Sequence, residues 1–313
     1  MPARNSIGNA LILCWLACMT LVVGSAGCDR SDTKELDLSR VGPETQPVKP
    51  SDAKKVYYFG FDARQGPQED ARQLLPLMNY LQRTTGYKFE LRFTPKNSST
   101  EEMLGQAQLD FAAIGAVSYI KARKNYRVVS VVRGVNSHNQ SSYQSMLVVR
   151  PDSKIKTVAG IKGKIMAFGN RNSTQGHLIP RIILLRNKIA LRDLKQYFYT
   201  GSHRNCADAV LSRRADVCGM QDVLAREMAA KGLLRILYES GNYPASLIAA
   251  NRDIDPDVLE KVKLALLDFK PQGRDKRDLY HWERTEMPNG FIAAHDAEYE
   301  KLQKWMQKLG MLN

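Results

Sequence analysis

The sequence predicts an α/β protein whose strands are joined by crossover helices. Short apolar runs rich in β-branched and aromatic residues alternate with longer segments whose apolar residues recur at helical spacing. Several of the short runs end in glycine and polar residues, as strand ends do when they open onto a ligand. About 260 residues follow position 54, more than one typical domain holds and enough for two lobes with separate cores.

Residues 56–60 (VYYFG) read as the first strand. A helix over 71–84 carries Leu74, Leu75, Leu77, Met78 and Leu81, and Gly86 closes it. Residues 88–93 alternate as a strand and 100–108 read as a helix. Residues 109–115 form a short buried strand ending in Gly115, and 128–132 and 145–149 add two more strands. A strand at 164–168, a helix over 174–188, a strand at 196–199, a helix over 205–213 and a strand at 215–219 continue the alternation. After strands at 233–238 and 246–250, residues 255–313 read as mainly helical, interrupted by Pro256, Pro271 and Pro288. Such a tail is expected to pack back on a completed body.

The first 27 residues carry one charged side chain, Arg4, then an apolar run over 10–23 and Gly24-Ser25-Ala26-Gly27 before Cys28. This reads as a secretory signal removed on maturation. The apolar run is short for a membrane span, which takes about 20 residues. Small residues directly before a cysteine resemble a bacterial lipoprotein processing site, with Cys28 as the lipidated N-terminus. A plain signal peptide cut nearby, or an uncleaved anchor, is the alternative, and each exports the chain. Asp29 resembles the signal that keeps some lipoproteins on the cytoplasmic membrane. Residues 28–53, rich in Asp, Ser, Thr, Lys and Pro, suit a flexible tether.

The formal net charge of +14 is scattered, with no basic run interleaved with aromatics, so nucleic acid is excluded as a partner. Beyond the signal and Cys28 only Cys206 and Cys218 remain. No metal-ligand spacing is present and no cofactor is expected. The pair could form a disulfide in an exporting compartment or remain as two buried thiols.

The segment 167–176 (AFGNRNSTQG) runs from an apolar strand end through polar residues into a helix opened by Ser173 and Thr174. The first N–H groups of a helix lack acceptors within it, its dipole favours negative charge there, and the hydroxyls add donors, which suits an oxyanion. The same residues also serve as an ordinary N-cap. Three more strand ends carry polar residues: 200–205 (TGSHRN), 219–222 (GMQD) and 238–244 (YESGNYP).

Taken in order and at their spacing, Phe168-Gly169, Asn172 through Gly176 with Pro180, Thr200-Gly201-Ser202-His203 with Ala207-Asp208-Ala209-Val210, and Ala215-Asp216-Val217 resemble the phosphate, phosphite and phosphonate periplasmic binding proteins of ABC importers. Asp110-Phe111-Ala112, Gly115, Tyr119 and Glu239-Ser240 with Pro244 add weaker support. The resemblance implies a type II periplasmic binding protein fold, two α/β lobes joined by two hinge strands that close on a ligand. Lobe 1 is expected over 54–150 and 245–313, lobe 2 over 151–244. It further implies that Ser173, Thr174 and Gln175 clamp phosphonate oxygens, that His203 donates to one, and that the Tyr143 hydroxyl faces the ligand. Asp222 is an approximate match to an acidic pocket residue.

Three departures accompany the match. Gln175 stands where a second serine is usual, so one hydroxyl is lost while its side-chain amide could donate instead. Asn97 replaces a ligand-facing tyrosine of aminoethylphosphonate binders. Ala245 and Ser246 follow Pro244 where aminoalkylphosphonate binders present carboxylates. A smaller anion such as phosphite, phosphate or methylphosphonate, or an arsenic oxyanion, is therefore expected over aminoethylphosphonate.

The expected function is a monomeric, lipid-anchored, extracytoplasmic solute-binding protein that delivers an oxyanion to an ABC permease. Capture that feeds a sensor kinase is the alternative, and a repurposed scaffold also accommodates the departures. An enzyme is not expected: the sequence has no Gly-x-Ser-x-Gly elbow, no HExxH, no Walker loop and no dense His/Asp/Glu cluster.

Overall fold

The structure is a computed structural model that describes residues 55–312 except positions 65 and 96. The expected signal segment, the lipidation site Cys28 and the tether lie outside the described residues. In chain order the elements are β1 (Val56–Phe61), α1 (Pro67–Thr85), β2 (Lys88–Leu91), α2 (Thr100–Gly105), β3 (Phe111–Ile114), α3 (Ala116–Tyr126), β4 (Val129–Gly134), β5 (Ser142–Tyr143) and β6 (Ser145–Val149). They continue as β7 (Ile165–Phe168), α4 (Ile179–Arg186), β8 (Gln196–Tyr199), α5 (His203–Leu211), β9 (Val217–Gln221), α6 (Asp222–Ala230) and β10 (Arg235–Glu239). The chain ends with β11 (Tyr243–Pro244), β12 (Leu247–Ala250), α7 (Pro256–Asp268), β13 (Phe291–Ala293) and α8 (Glu300–Lys308).

The strands form a six-stranded sheet, β13-β4-β12-β3-β1-β2, a five-stranded sheet, β10-β6-β9-β7-β8, and a two-stranded ribbon of β11 and β5. β1 runs parallel to β2 and β3, and β7 parallel to β8 and β9. The interior strands β3, β6, β9 and β12 are buried along their whole length, which explains their near-continuous apolar sequences. Edge strands β2 and β8 carry exposed positions.

Crossing between the sheets is the work of the ribbon, where Tyr143 pairs with Tyr243 and Ser142 with Pro244. β6 is hydrogen-bonded between β10 and β9. The chain therefore changes sheet at Gln144, and residues 145–149, expected in lobe 1, lie in the five-stranded sheet. They are central there because SMLVV has no polar face to leave in water. The return to the six-stranded sheet is β12.

Local chemistry sets the helix ends. α1 begins at Pro67, and the Asp70 carboxylate accepts from the N–H groups of Arg64 (2.8 Å) and Gly66 (3.2 Å). It ends at Gly86, whose φ of 76° is left-handed. Asp255 caps α7 ahead of Pro256. Five elements escaped the sequence reading: the ribbon strands β5 and β11, and α3, α6 and β13. The first half of α3, from Ala116 to Ile120, is buried on all sides and shows no helical stripe. β13 is a three-residue edge strand inside the tail read as helical.

The described residues belong to one compact unit. One apolar cluster sits between the six-stranded sheet, α1 and α7, and another between the five-stranded sheet, α5 and α6. A third runs through both sheets and includes Tyr119, Leu147, Phe168, Ile182 and Tyr299. The C-terminal tail packs back into it through Leu302 and Met306, and the Tyr299 hydroxyl donates to the carbonyl of Ala245 at 3.1 Å. Cys206 on α5 and Cys218 on β9 are joined in a disulfide, with Cα atoms 5.8 Å apart.

Candidate ligand-binding site

The carboxyl ends of β1, β3 and β7 and the start of α5 converge on a cavity of about 320 Å³. Tyr143, Ser173, Thr174, Gln175 and His203 all line it.

Residues 174–178 form one wide π-helical turn that runs directly into α4, the kind of irregularity that often marks a functional site. The Ser173 hydroxyl accepts from the N–H of Gly176 at 2.8 Å, so it caps the helix and still has its own proton to donate. Capping and anion binding are thus compatible uses of one oxygen. A side chain at position 176 would put a Cβ 2.9 Å from Ser173 Oγ and 3.0 Å from the His203 ring, so glycine is required by close approach. The preceding loop is fastened by a cluster: His177 Nδ1 lies 2.7 Å from the Arg171 carbonyl, its Nε2 is 3.0 Å from the Tyr199 hydroxyl, and the Arg171 guanidinium stacks over Tyr199.

His203 opens α5, capped by Ser202 and anchored one turn later by the disulfide. Its Nδ1 accepts from the N–H of Gln221 at 3.3 Å, which leaves Nε2 as the protonated nitrogen of the neutral ring. Burial pushes its pKa down to about 4. It therefore offers a neutral N–H at physiological pH and no charge.

Tyr143 is 3 % exposed, and its hydroxyl, close to the Thr174 hydroxyl and the Ala116 backbone, makes no well-formed hydrogen bond. Burial raises its phenol well above the usual range and keeps it a donor. A buried, unpaired donor at a cavity wall is costly unless something fills it.

Gln175 and Asp222 depart from expectation. The Gln175 side chain donates to the Gln144 carbonyl (2.8 Å) and to Asp222 (3.1 Å), so both amide hydrogens are spent and cannot replace the missing serine hydroxyl. Asp222 does not line the cavity. It accepts from the N–H groups of Gln144 (3.1 Å) and Val223 (2.9 Å), and ties the crossing strand to Gln175 from behind. Asn97 is exposed and stands outside the lining, whereas Ser246 is part of it.

The sequence reading missed the wall built by the six-stranded half: Asp62, Arg64, Glu101 and Glu286. Arg64 and Glu286 pair at 3.1 Å with little exposure. Asp62 accepts from the N–H of Gly115 (3.0 Å) and the hydroxyl of Ser118 (2.8 Å), while burial raises its carboxyl. Asp62 and Arg64 follow β1 and were open to the same strand-end rule that found Ser173. Glu101 sits in the first turn of α2, where acidic residues are ordinary, and Glu286 lies in an irregular stretch, so neither had a signal.

Contacts between the halves hold the cleft closed. The Asn172 side chain donates to Glu101 and accepts from Lys121 Nζ at 2.7 Å. The N–H of Val117 donates to the Thr174 hydroxyl at 3.0 Å, and the N–H of His203 to the Arg64 carbonyl at 3.2 Å. No base is hydrogen-bonded to Ser173 among the described residues. None of the described His, Cys, Asp and Glu residues group in threes suited to a metal ion.

The model of the family described as "ABC transporter, phosphonate, periplasmic substrate-binding protein" matches residues 59–299. The chain is 23 % identical over 247 residues to the phosphate-import protein PhnD of Mycolicibacterium smegmatis, covering 72 % of this chain and 77 % of that one. Its fold is similar to that of PhnD1 from Prochlorococcus marinus in complex with methylphosphonate, with TM-score 0.73, 17 % identity, and coverage of 83 % of this chain and 100 % of the other. A binding protein component of an ABC phosphonate transporter from Pseudomonas aeruginosa gives TM-score 0.73 at 18 % identity, covering 82 % and 88 %. The aliphatic sulphonate binding protein SsuA of Escherichia coli is more distant in fold, at TM-score 0.59 and 14 % identity, with coverage of 82 % and 88 %. The architecture is the type II periplasmic binding protein fold, and the chain belongs to the family of ABC-transporter phosphonate periplasmic substrate-binding proteins.

Proposed function

We propose that this protein captures a small phosphonate-class oxyanion, a phosphonate, phosphite or phosphate, outside the cytoplasm and hands it to an ABC importer. The observation that carries this reading is the convergence of donors on one cavity. The hydroxyls of Ser173 and Thr174, the start of their helix, the Tyr143 hydroxyl and the neutral Nε2–H of His203 all belong to residues that line this one cavity. Donors of this kind on largely buried residues form strong charge-assisted hydrogen bonds to an anion. The reading is binding and release without chemistry on the ligand. Relatives described as binding methylphosphonate or importing phosphate agree with a ligand of this size.

In this reading the lobes meet at the β5–β11 ribbon, and the closed pair is what the permease recognises. Cys28, outside the described residues, is the lipid attachment site that holds the protein at the membrane. Intact-mass measurement of protein extracted from membranes checks it, with a chain starting at a lipid-modified Cys28 as the expected species.

A thermal-shift screen against phosphate, phosphite, methylphosphonate, aminoethylphosphonate, arsenate and sulfate tests the ligand class, because binding to the native state raises its apparent stability. Stabilisation by a phosphorus oxyanion that is lost in Ser173→Ala and His203→Ala is expected. Well-folded protein that responds to none of them contradicts the proposal.

A further inference from the structure

The wall facing the oxyanion donors is acidic, an unusual lining for an anion site. Asp62, Glu101 and Glu286 contribute carboxylates, and among the described residues lining the cavity Arg64 is the one cation. Arg64 is committed to Glu286, and Asp62 to Gly115 and Ser118. Glu101 differs from both. It is 6 % exposed, its Oε1 accepts from Asn172, and its Oε2 is buried without a well-formed hydrogen bond, with the Ser99 hydroxyl and its own N–H as nearby donors. A carboxylate oxygen cut off from water needs a donor. A fully ionised oxyanion brings only acceptors.

We propose that Glu101 and the bound oxyanion share one proton across Oε2, so that the site takes up its ligand together with a proton. This rests on the oxyanion reading above and adds a rule of selection to it. The proton arrives either on Glu101 or on the ligand as an acidic O–H, and in the complex it lies between the two oxygens. Phosphates and phosphonates can carry such a proton, since a phosphate monoester loses its last one near pH 6. The groups facing Glu101 are consistent with a held proton. Asp62 at the end of β1 repels a second negative charge, Lys121 on α3 is engaged by Asn172, and Arg64, Glu286 and the neutral His203 complete the cavity. Burial, and next the charge of Asp62, push the Glu101 carboxyl up to about 7.

The test is calorimetric titration of the purified protein with methylphosphonate at about pH 8.5 in two buffers of different protonation heat, where free ligand and free Glu101 are both mostly ionised. Uptake of about one proton per ligand is expected, with affinity falling about tenfold per pH unit above about pH 7.5. Glu101→Gln, whose amide donates N–H to the ligand oxygen, is expected to bind with no uptake. The wild-type slope stands as a test by itself if that variant folds poorly. Binding by wild type without proton uptake, or the same uptake in Glu101→Gln, overturns the proposal while leaving the oxyanion reading intact. Tighter binding of aminoethylphosphonate than methylphosphonate, without uptake, overturns it by assigning Glu101 to an ammonium group. Failure of methylphosphonate, phosphite and phosphate to bind at any pH overturns both.

Discussion

Gln175 donates its side-chain amide to Asp222 at 3.1 Å, yet only Gln175 reaches the ligand cavity. An acidic residue expected to touch the ligand instead holds the residue that lines it, and braces the crossing strand through Gln144 as well. Asp222→Asn places an amide donor against one of the N–H groups that the carboxylate now accepts. Urea denaturation is expected to show a loss of about 1–3 kcal/mol. Methylphosphonate affinity is expected to fall less than in Ser173→Ala.

Two buried histidines make the protein acid-sensitive. His177 and His203 are both lowered to about 4, burial being the main cause in each. A folded-state pKa below the unfolded value means that the unfolded chain binds protons first as pH falls. Their stabilisation is complete above about pH 6.5 and is lost between there and about pH 4. The free energy of unfolding is expected to fall over that window, by about 2.5 kcal/mol per histidine at pH 4.5. Ligand affinity, by contrast, is not expected to rise as pH passes through 6.5, because the donor is the neutral ring. Parallel pH series of stability and affinity check both statements.

The unliganded protein is expected to become more stable when Glu101 loses its charge. Its carboxyl is raised from the ordinary 4.5 to about 7, so its contribution is present below the unfolded pKa and is lost as pH rises through 7. Glu101→Gln is expected to exceed wild type in stability at about pH 8.5 by up to about 3 kcal/mol, with little difference near pH 4. Thermal denaturation of both proteins at the two pH values checks this.

Reduction of the Cys206–Cys218 bridge is expected to cost about 3 kcal/mol, since it frees a short loop between α5 and β9 in the unfolded chain. Mass measurement with and without reductant establishes the bond. Equilibrium unfolding of Cys206→Ala/Cys218→Ala gives its magnitude.

The alternation of apolar strands with helices made most of the fold readable, and polar residues between β7 and its helix made Ser173 and Thr174 stand out. His203 was legible through its Thr-Gly-Ser-His setting, and Tyr143 only through family resemblance. What stayed hidden depends on distant partners. Nothing near Gln175 says that its amide is spent on Asp222, because that contact is made by sheet pairing. Glu101 becomes informative only when folding brings Asn172 to one of its oxygens and leaves the other without a well-formed hydrogen bond. The strand β13 and the approach of Glu286 belong to irregular backbone, which hydrophobic periodicity does not describe.

Tyr143 tests the central claim most directly, because its buried hydroxyl makes no well-formed hydrogen bond in the unliganded protein and is assigned to the ligand. The measurement is methylphosphonate affinity and unliganded stability for wild type and Tyr143→Phe, side by side. The account expects affinity to fall about ten- to a hundredfold while unliganded stability is unchanged or higher, since an unsatisfied buried hydroxyl has been removed. Equal affinity in the two proteins would contradict an oxyanion bound among Tyr143, Ser173 and His203.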